Sequence, residues 1–201
     1  MLAAGLMCGT SLDGIDVALA HIVPRRTSYL LEPVALQTVP LLAVLVENLR
    51  NALPPAQPPL AEIARLDADL GAAFGHAVSE VAAGRRLDYV ASHGVTLYHD
   101  GDAKVTWQIG DPFAIRERAA ATVLSDFRRG DCAAGGHGAP LVPYVDALLF
   151  ASVERFRVAL NLGGIANLTI LCPRVERNAV TGWDVGPGNM LLDEFVRCKT
   201  S

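Results

Sequence analysis

Residues 2–39, LAAGLMCGTSLDGIDVALAHIVPRRTSYLLEPVALQTV, decide the fold class of this chain. The stretch holds three apolar runs, at 2–8, 15–23 and 29–39, separated by the polar segments GTSLDG and PRRTS. Runs of this length bounded by turn residues are typical of β-strands, and short connections favour antiparallel neighbours. The sequence therefore predicts an antiparallel meander whose first turn carries the polar residues.

A helix follows the meander. The Pro-rich patch LPPAQPP at 53–59 separates the two, and Gly84 is the predicted C-terminal stop of the helix. Apolar residues recur between these limits at steps of three or four, which is the helical period. They are Leu60, Ile63, Leu66, Leu70, Phe74, Val78 and Val81.

The rest of the chain alternates between strands and helices. Strands are predicted at 87–94, 106–112, 121–127, 156–164 and 165–172, with helices over FAIRERAA and YVDALLFAS. Strands first, and then strands and helices in alternation, indicate an α/β fold with a mixed sheet.

Composition limits the function classes. The chain has 201 residues, of which 51% are hydrophobic and 19% charged, as expected for a globular protein with a sizeable core. A net charge of −4 does not favour binding to nucleic acid or to an acidic membrane surface, since both attract basic proteins. This favours a small-molecule or protein partner.

The cysteines at 8, 132, 172 and 198 have neither disulfide-scaffold nor zinc-site spacing. We expect a cytoplasmic protein, because the start MLAAGLMCGT lacks the charged and apolar regions of a signal peptide. No apolar run approaches the roughly 18 residues that a membrane helix needs.

The first candidate loop is CGTSLDGID at 8–16. Its glycines allow a ligand to approach the backbone closely, and its hydroxyl and N–H groups can donate to phosphate oxygens. Asp13 or Asp16 could hold Mg²⁺ through water. The loop lacks the lysine of a Walker A motif, and a plain hairpin turn remains the alternative.

Ser92 and His93 form a pair that suggests a hydrolase, but neighbours on a strand point to opposite faces. We interpret His93 as a hydrogen-bonding partner for substrate or as a satisfied core histidine. Further along the chain, Asp111 before Pro112 is the predicted N-cap of a short helix.

Two further stretches combine glycine with polar groups. DFRRGDCAAGGHGAP at 126–140 suits a carboxylate or phosphate, because guanidinium binds oxyanions in bidentate fashion. A solvated charge run is the alternative. NLGGIAN at 161–167 is a predicted hairpin whose glycines would let a nucleotide phosphate lie against the backbone.

The last stretch is GWDVGPGNM at 182–190. We expect Asp184 to lie where a strand gives way to a tight loop and then to a helix. Such a place can hold an anion or a water beside backbone N–H groups. An aspartate in an ordinary turn is the alternative.

Six blocks together resemble the anhydro-N-acetylmuramic acid kinases, bacterial cell-wall recycling enzymes of the actin-like (ribonuclease H-like) superfamily. The blocks are GLMCGTSLDGIDVAL, SHG at 92–94, QIGDP at 108–112, DFRRGDCAAGGHGAPLVP at 126–143, NLGGIANLTIL at 161–171 and GWDVGPGNMLLDEF at 182–195. Three positions depart from the usual family residues: Cys8 replaces Ser, Val95 replaces Gln and His137 replaces Gln.

The resemblance implies an enzyme that uses ATP and Mg²⁺ to open the anhydro ring with water and to phosphorylate O6. Asp184 is implied to be the general base, and Asp13 and Asp16 are candidate metal ligands through water. On the sugar side, the candidates are His93, Gln108, Asp126, Arg128 and His137. The candidates for ATP and its phosphates are Gly9, Thr10, Ser11, Leu12, Asp13, Gly14, Ile15, Asp16, Gly163, Gly164, Gly186, Gly188 and Asn189.

The resemblance also implies a domain organisation. Family members exceed three hundred residues in two lobes, so residues 1–150 are expected to form an N-terminal actin-like lobe and 151–201 the start of a second. An exposed apolar face is then expected, and two copies could complete one another as a homodimer. The alternatives are a related kinase of another amino sugar and a catalytically silent lobe that acts only in binding or association.

Overall fold

Residues 1–9, 12–26, 29–173 and 180–200 are described by the structure, which is a computed structural model. The first three strands form the predicted meander: β1 (Leu2–Met7), β2 (Ile15–Pro24) and β3 (Tyr29–Val39). β1 pairs antiparallel with β2, and β2 pairs antiparallel with β3. The meander prediction is thus confirmed.

Two parallel strands extend this sheet beside β1. They are β4 (Tyr89–Ser92) and β7 (Thr122–Leu124), and the strand order is β3-β2-β1-β4-β7. The sheet is mixed, as predicted, and compatible with an actin-like lobe. The strand expected at 121–127 is shorter, because the backbone of Asp126 turns into the left-handed region (φ 61°). Because β1, β4 and β7 run parallel to one another, their carboxyl ends lie at the same edge of the sheet.

Helices α1 (Ala43–Ala52) and α2 (Leu60–Ala82) enclose the core with this sheet. Alternate residues of β1 are buried, and α2 buries its apolar stripe from Leu66 onward, whereas Leu60, at its first turn, is exposed. α2 ends where Ala83 and Gly84 adopt positive φ, as Gly84 predicted. Helix α1 was not predicted.

A hairpin and a short helix lie between β4 and β7. The hairpin pairs β5 (Val95–Asp100) with β6 (Val105–Ile109), and α3 (Pro112–Ala119) follows. Asp111 caps α3 by accepting a hydrogen bond from the Phe113 N–H at 2.8 Å, which confirms the predicted cap. α2 packs closely against the start of α3. A Cβ added at Gly71 of α2 would lie only 2.6 Å from the Asp111 carbonyl oxygen.

Helices α4 (Phe127–Ala133) and α5 (Val142–Phe150) lead to a second, three-stranded antiparallel sheet. Its order is β10-β9-β8, from β8 (Arg157–Leu162), β9 (Ile165–Leu171) and β10 (Thr181–Pro187). α5 packs on one face, where the Thr169 hydroxyl donates to the buried Asp146 carboxylate at 2.6 Å. The predicted division at residue 150 remains a prediction.

The chain then forms α6 (Asn189–Thr200). The apolar side chains of α6 are exposed, and so are those on the face of β8 and β10 that includes Leu160 and Trp183. The structure therefore confirms the expected exposed apolar face. Among the described helices, none is both long and apolar enough to cross a bilayer.

Candidate functional site

The sheet edge where β1, β4 and β7 end collects most of the predicted site residues. The β1–β2 turn follows β1, His93 follows β4, and Ser125 and Asp126 follow β7. The His93 N–H donates to the Leu6 carbonyl at 3.2 Å, which ties the end of β4 to β1. Residues that are far apart in sequence therefore share one edge.

The β1–β2 turn directs its apolar side chains into the core. Leu12 and Ile15 are buried, and the Leu12 N–H donates to the Gly9 carbonyl at 3.1 Å. A Cβ on Gly14 would lie 2.6 Å from Thr38 Cγ2, so the lack of a side chain at Gly14 allows β3 to pack against this turn. Leu12 and Ile15 therefore have no side-chain group for a phosphate, and the Leu12 N–H is already engaged. Thr10 and Ser11 lie outside the described residues.

Two carboxylates lie beside Cys8 in this turn. Burial raises the pKa of the Cys8 thiol to about 11, and the negative charges of Asp13 and Asp16 add to the effect. Asp16 Oδ1 also accepts the Thr38 hydroxyl at 2.5 Å. The described residues hold no cluster of three or more His, Cys, Asp or Glu suited to a metal. The pair suits Mg²⁺ only if most ligands are waters and phosphate oxygens, which is usual for that ion.

Arg128 and His93 contact each other directly at this edge. Arg128 Nε donates to His93 Nε2 at 2.7 Å, and Arg128 Nη1 donates to the Gly138 carbonyl at 2.7 Å. Because His93 Nε2 accepts, the ring proton lies on Nδ1, which donates to the Gly94 carbonyl at 2.9 Å. Both ring nitrogens are engaged, so His93 has none left to take a proton from Ser92.

Burial sets the protonation of this pair. It lowers the pKa of His93; the hydrogen bond to the Gly94 carbonyl opposes the shift, and the charge of Arg128 adds to it. Burial also lowers the pKa of Arg128, while the negative charge of Asp184 works in the opposite direction. The histidine is consequently neutral near pH 7.

Asp184 belongs to the same electrostatic group, since its charge acts on Arg128. Its local setting differs from the expectation: β10 continues past it to Pro187, with an irregular register between Asp184 and Gly186. Pairing with β9 explains the longer strand, because Asp184 lies opposite Asn167, which lies opposite Asn161 of β8. A polar row thus crosses the second sheet and ends at the predicted base.

A pocket of about 160 Å³ opens beside His93. Three predicted sugar-side residues line it, namely His93, Gln108 and Asp126. Asp126 pairs with Arg129 at 3.4 Å on the exposed surface. Arg128 is not part of the lining and contacts the pocket through His93.

His137 lies away from this pocket, in the glycine-rich loop that follows α4. The Gly138 N–H donates to Asp131 Oδ2 at 2.8 Å, and a Cβ on Gly136 would collide with the same carboxylate. Lys104 Nζ, from the β5–β6 hairpin, donates to the carbonyls of Gly135 and Gly136 at 2.5 and 3.0 Å. The loop is therefore held from both sides, and the His137 side chain is exposed.

The glycines of the second sheet contact one another. The N–H groups of Gly188 and Asn189 donate to the carbonyls of Gly164 and Gly163 at 2.9 and 2.8 Å. A Cβ on Gly188 would collide with the Gly163 carbonyl oxygen, whereas one on Gly186 would meet open space. Gly186 has φ +145°, a backbone conformation that favours glycine. The hairpin and the start of α6 thus form one unit.

Sequence reasoning missed several residues of the pocket. Asp67 Oδ1 accepts the Gly110 N–H at 2.6 Å, and Asp67, Trp107 and Ser125 all belong to the lining. Asp67 lies between the apolar positions of α2, where a carboxylate is ordinarily solvated. A signal for Trp107 was the large aromatic directly before Gln108, because exposed aromatic side chains supply apolar contact area at binding sites.

Comparison with known proteins identifies the family. The family model described as anhydro-N-acetylmuramic acid kinase matches residues 1–201. Curated proteins named anhydro-N-acetylmuramic acid kinase from two Bacillus cereus strains and one Bacillus anthracis strain are each 40% identical over 204 residues. The matches cover 96% of this chain and 52–53% of the relatives, so the chain spans about half their length. The chain, with its sheet edge and its Arg128–Asp184 group, belongs to the anhydro-N-acetylmuramic acid kinase family.

Proposed function

We propose that the chain carries the ATP-dependent reaction that opens 1,6-anhydro-N-acetylmuramate with water and phosphorylates O6 in peptidoglycan recycling. Family membership supports the reaction class. The observation that supports the proposal most directly is the set of interactions made by Arg128. Its guanidinium donates to His93 beside the pocket, and the negative charge of Asp184 acts on it. A carboxylate that acts on a cation, with that cation bonded to a pocket residue, supports acid–base chemistry on a polar substrate.

In the proposed mechanism, Asp184 takes a proton from the water that attacks the anomeric carbon, while the bond from that carbon to O6 breaks. O6 then attacks the γ-phosphate, and ADP leaves. Arg128 offsets negative charge that develops during transfer, because a fixed cation away from bulk water acts strongly. His93, held neutral, orients Arg128, and Gln108 and Asp126 hydrogen-bond the sugar.

ATP is assigned to the turn at residues 9–16 and to the unit formed by Gly163, Gly164, Gly186, Gly188 and Asn189. Both contain glycines, which allow a phosphate to approach the backbone closely. Asp13 and Asp16 would hold Mg²⁺ through water, and the ion would neutralise phosphate charge. The proposed role of His137 is a peripheral sugar contact, because its side chain is exposed.

A phosphoryl-transfer assay with Mg-ATP and 1,6-anhydro-N-acetylmuramate tests the proposal. We expect phosphorylated product from the parent chain and a loss of at least about 100-fold in Asp184→Asn, as for other removed acid–base groups. Asp193→Asn, in exposed α6, is the matched control and should retain the parent rate. No product from a folded parent, or equal rates for both variants, would contradict the proposal.

A second candidate is a catalytically silent lobe that acts through association. The observation in its favour is the uncovered apolar face that includes Val158, Leu160 and Leu162, each at least half exposed. Sheet faces of this kind are ordinarily covered in globular proteins. A folded, associating chain without turnover on this substrate or on a panel of amino sugars would support the silent lobe, whereas turnover on another sugar would indicate a related kinase.

A further inference from the structure

Gly138 is held at both ends by side chains of helix α4. Its carbonyl accepts from Arg128 Nη1 at 2.7 Å, and its N–H donates to Asp131 Oδ2 at 2.8 Å. Arg128 and Asp131 are three residues apart in the helix, so they lie on one face of it. A Cβ on Gly138 would lie only 2.9 Å from Cys132 Sγ, which leaves no room for a side chain. Gly138 therefore connects the carboxylate of Asp131 to the guanidinium of Arg128.

Asp131 also fixes the segment that precedes Gly138. The N–H of Gly136 donates to the Asp131 backbone carbonyl at 2.8 Å, and a Cβ on Gly136 would collide with the Asp131 carboxylate. The glycine-rich loop thus folds around this half-buried residue. Hydrogen bonds accepted by an ionised carboxylate are stronger than those between neutral groups, so the Asp131 contact is well suited to fix the orientation of the Gly138 peptide.

The β5–β6 hairpin holds the same loop from the other side. Lys104 Nζ donates to the carbonyls of Gly135 and Gly136 at 2.5 and 3.0 Å. A Cβ on Gly101 would lie 3.1 Å from the His137 carbonyl oxygen, so the backbones of the hairpin and the loop are also in contact. Lys104 has φ 57°, a conformation that costs free energy for a residue with a side chain and that glycine or asparagine adopts more readily. The contacts of the ammonium group give a physical reason for a lysine at this turn.

We propose that Asp131 and Lys104 are positioning residues for Arg128. These two side chains fix the loop, so that the Gly138 carbonyl holds Nη1 of the guanidinium. Nε of the same group is then directed at His93. Asp131 and Lys104 lie outside the lining of the pocket, so each acts through Arg128 rather than on substrate. The inference rests on the proposed function in giving Arg128 a role in phosphoryl transfer.

The ring of His93 reports the position of Arg128 without ATP or sugar. Burial lowers the pKa of His93, and the charge of Arg128 adds to that effect. When the guanidinium moves away, the NMR titration midpoint of the ring should therefore rise toward the usual histidine value of about 6.5. Arg128→Met removes the guanidinium altogether and sets the full size of this rise.

Two substitutions of Asp131 separate positioning from general stability. Asp131→Ala should raise the His93 midpoint toward that of Arg128→Met. Asp131→Asn should keep the parent midpoint, because its amide oxygen can still accept the Gly138 N–H. The ring resonances of His76, exposed on α2, are the internal reference and should be alike in all variants. A defect in stability alone would not move the titration of one histidine and spare the other.

Lys104→Met tests the same proposal on an exposed side chain, whose replacement should leave the fold intact. It should raise the His93 midpoint by less than Asp131→Ala does, because Lys104 contacts the loop ahead of Gly138 rather than at it. Asp102→Ala, in the same exposed hairpin turn, is the matched control and should titrate as the parent does.

Three results would overturn the proposal. They are an unchanged His93 midpoint in Asp131→Ala, an unchanged midpoint in Lys104→Met, or a rise in Asp131→Asn as large as in Asp131→Ala. In the phosphoryl-transfer assay, misplacement of Arg128 should slow Asp131→Ala by up to about 100-fold. A raised midpoint with an unchanged transfer rate would contradict the proposed role of Arg128 in the reaction and retain the positioning.

Discussion

Arg128 joins parts of the chain that are distant in sequence. Its guanidinium donates to His93 at the end of β4 and to the Gly138 carbonyl in the glycine-rich loop, and it lies in the field of Asp184 from the second sheet. A planar fork with several donors can make such contacts at once, whereas the point charge of lysine cannot. The identity of this side chain therefore matters beyond its charge.

Replacing Arg128 with lysine should destabilise the chain by about 1.5–3 kcal/mol, because hydrogen bonds from a charged group are lost while the charge stays. Urea unfolding measures the difference. Arg129→Lys is the matched control: its side chain is 59% exposed in a surface ion pair, so a change below about 0.5 kcal/mol is expected. Equal effects of the two substitutions would show that Arg128 makes no special contribution.

The pKa of His93 lies below its usual range because burial disfavours the charged ring. A group whose pKa is lowered on folding stabilises the protein fully above its unfolded pKa, about 6.5 for histidine, and loses that stabilisation as pH falls further. We therefore expect unfolding free energy to fall from pH 7 toward pH 5, and less steeply in His93→Gln. An NMR titration of the His93 ring with a midpoint at or above 6.5 would contradict this.

At the scale of elements, close packing rather than ligand contact explains several glycines. In α2, a Cβ on Gly71 would lie 2.6 Å from the Asp111 carbonyl oxygen and 2.8 Å from the Asp111 nitrogen. These are backbone atoms at the start of α3, so they cannot move aside easily. The contact holds α3 and the preceding Gly110 against α2, and with them one side of the pocket.

Gly71→Ala should consequently destabilise the chain by about 1–3 kcal/mol through overpacking. Gly130→Ala is the matched control in helix α4, where a Cβ would meet no atom within 4 Å. Alanine favours helix over glycine, so this control should stabilise by about 0.5–1 kcal/mol. Thermal unfolding of both variants shows whether each substitution stabilises or destabilises the chain. Stabilisation by both would show that α2 can shift away from α3.

At the scale of the whole molecule, the two sheets differ in how they are covered. The five-stranded sheet buries a face beneath α1 and α2, whereas the second sheet has α5 on one face and exposed Leu160 and Trp183 on the other. Apolar surface of this extent favours association in water. The molecule thus combines a well-formed core with an uncovered apolar face.

We expect the chain to self-associate at micromolar concentrations, and Leu160→Lys to reduce association because it places a charge on the uncovered face. Sedimentation velocity over a concentration series measures this. Leu36→Lys is the control: Leu36 is 75% exposed on β3, outside the second sheet, so association should persist. A monomeric parent, or equal loss in both variants, would show that the second sheet does not drive association.

Local pattern by itself determined the strands of residues 2–39, the helix ending at Gly84 and the cap at Asp111, because each depends on neighbours in sequence. The family was determined by six motif blocks spread along the chain. Helix α1, hairpin strand β5, helix α4 and the extension of β10 past Asp184 were missed. These short elements take their conformation from what they pack or pair with, such as β9 beside β10. The contact of Arg128 with His93, the charge of Asp184 beside it, and the shared pocket of Ser92 and Gln108 were decided by tertiary structure, since they join side chains brought together by folding rather than by spacing along the chain.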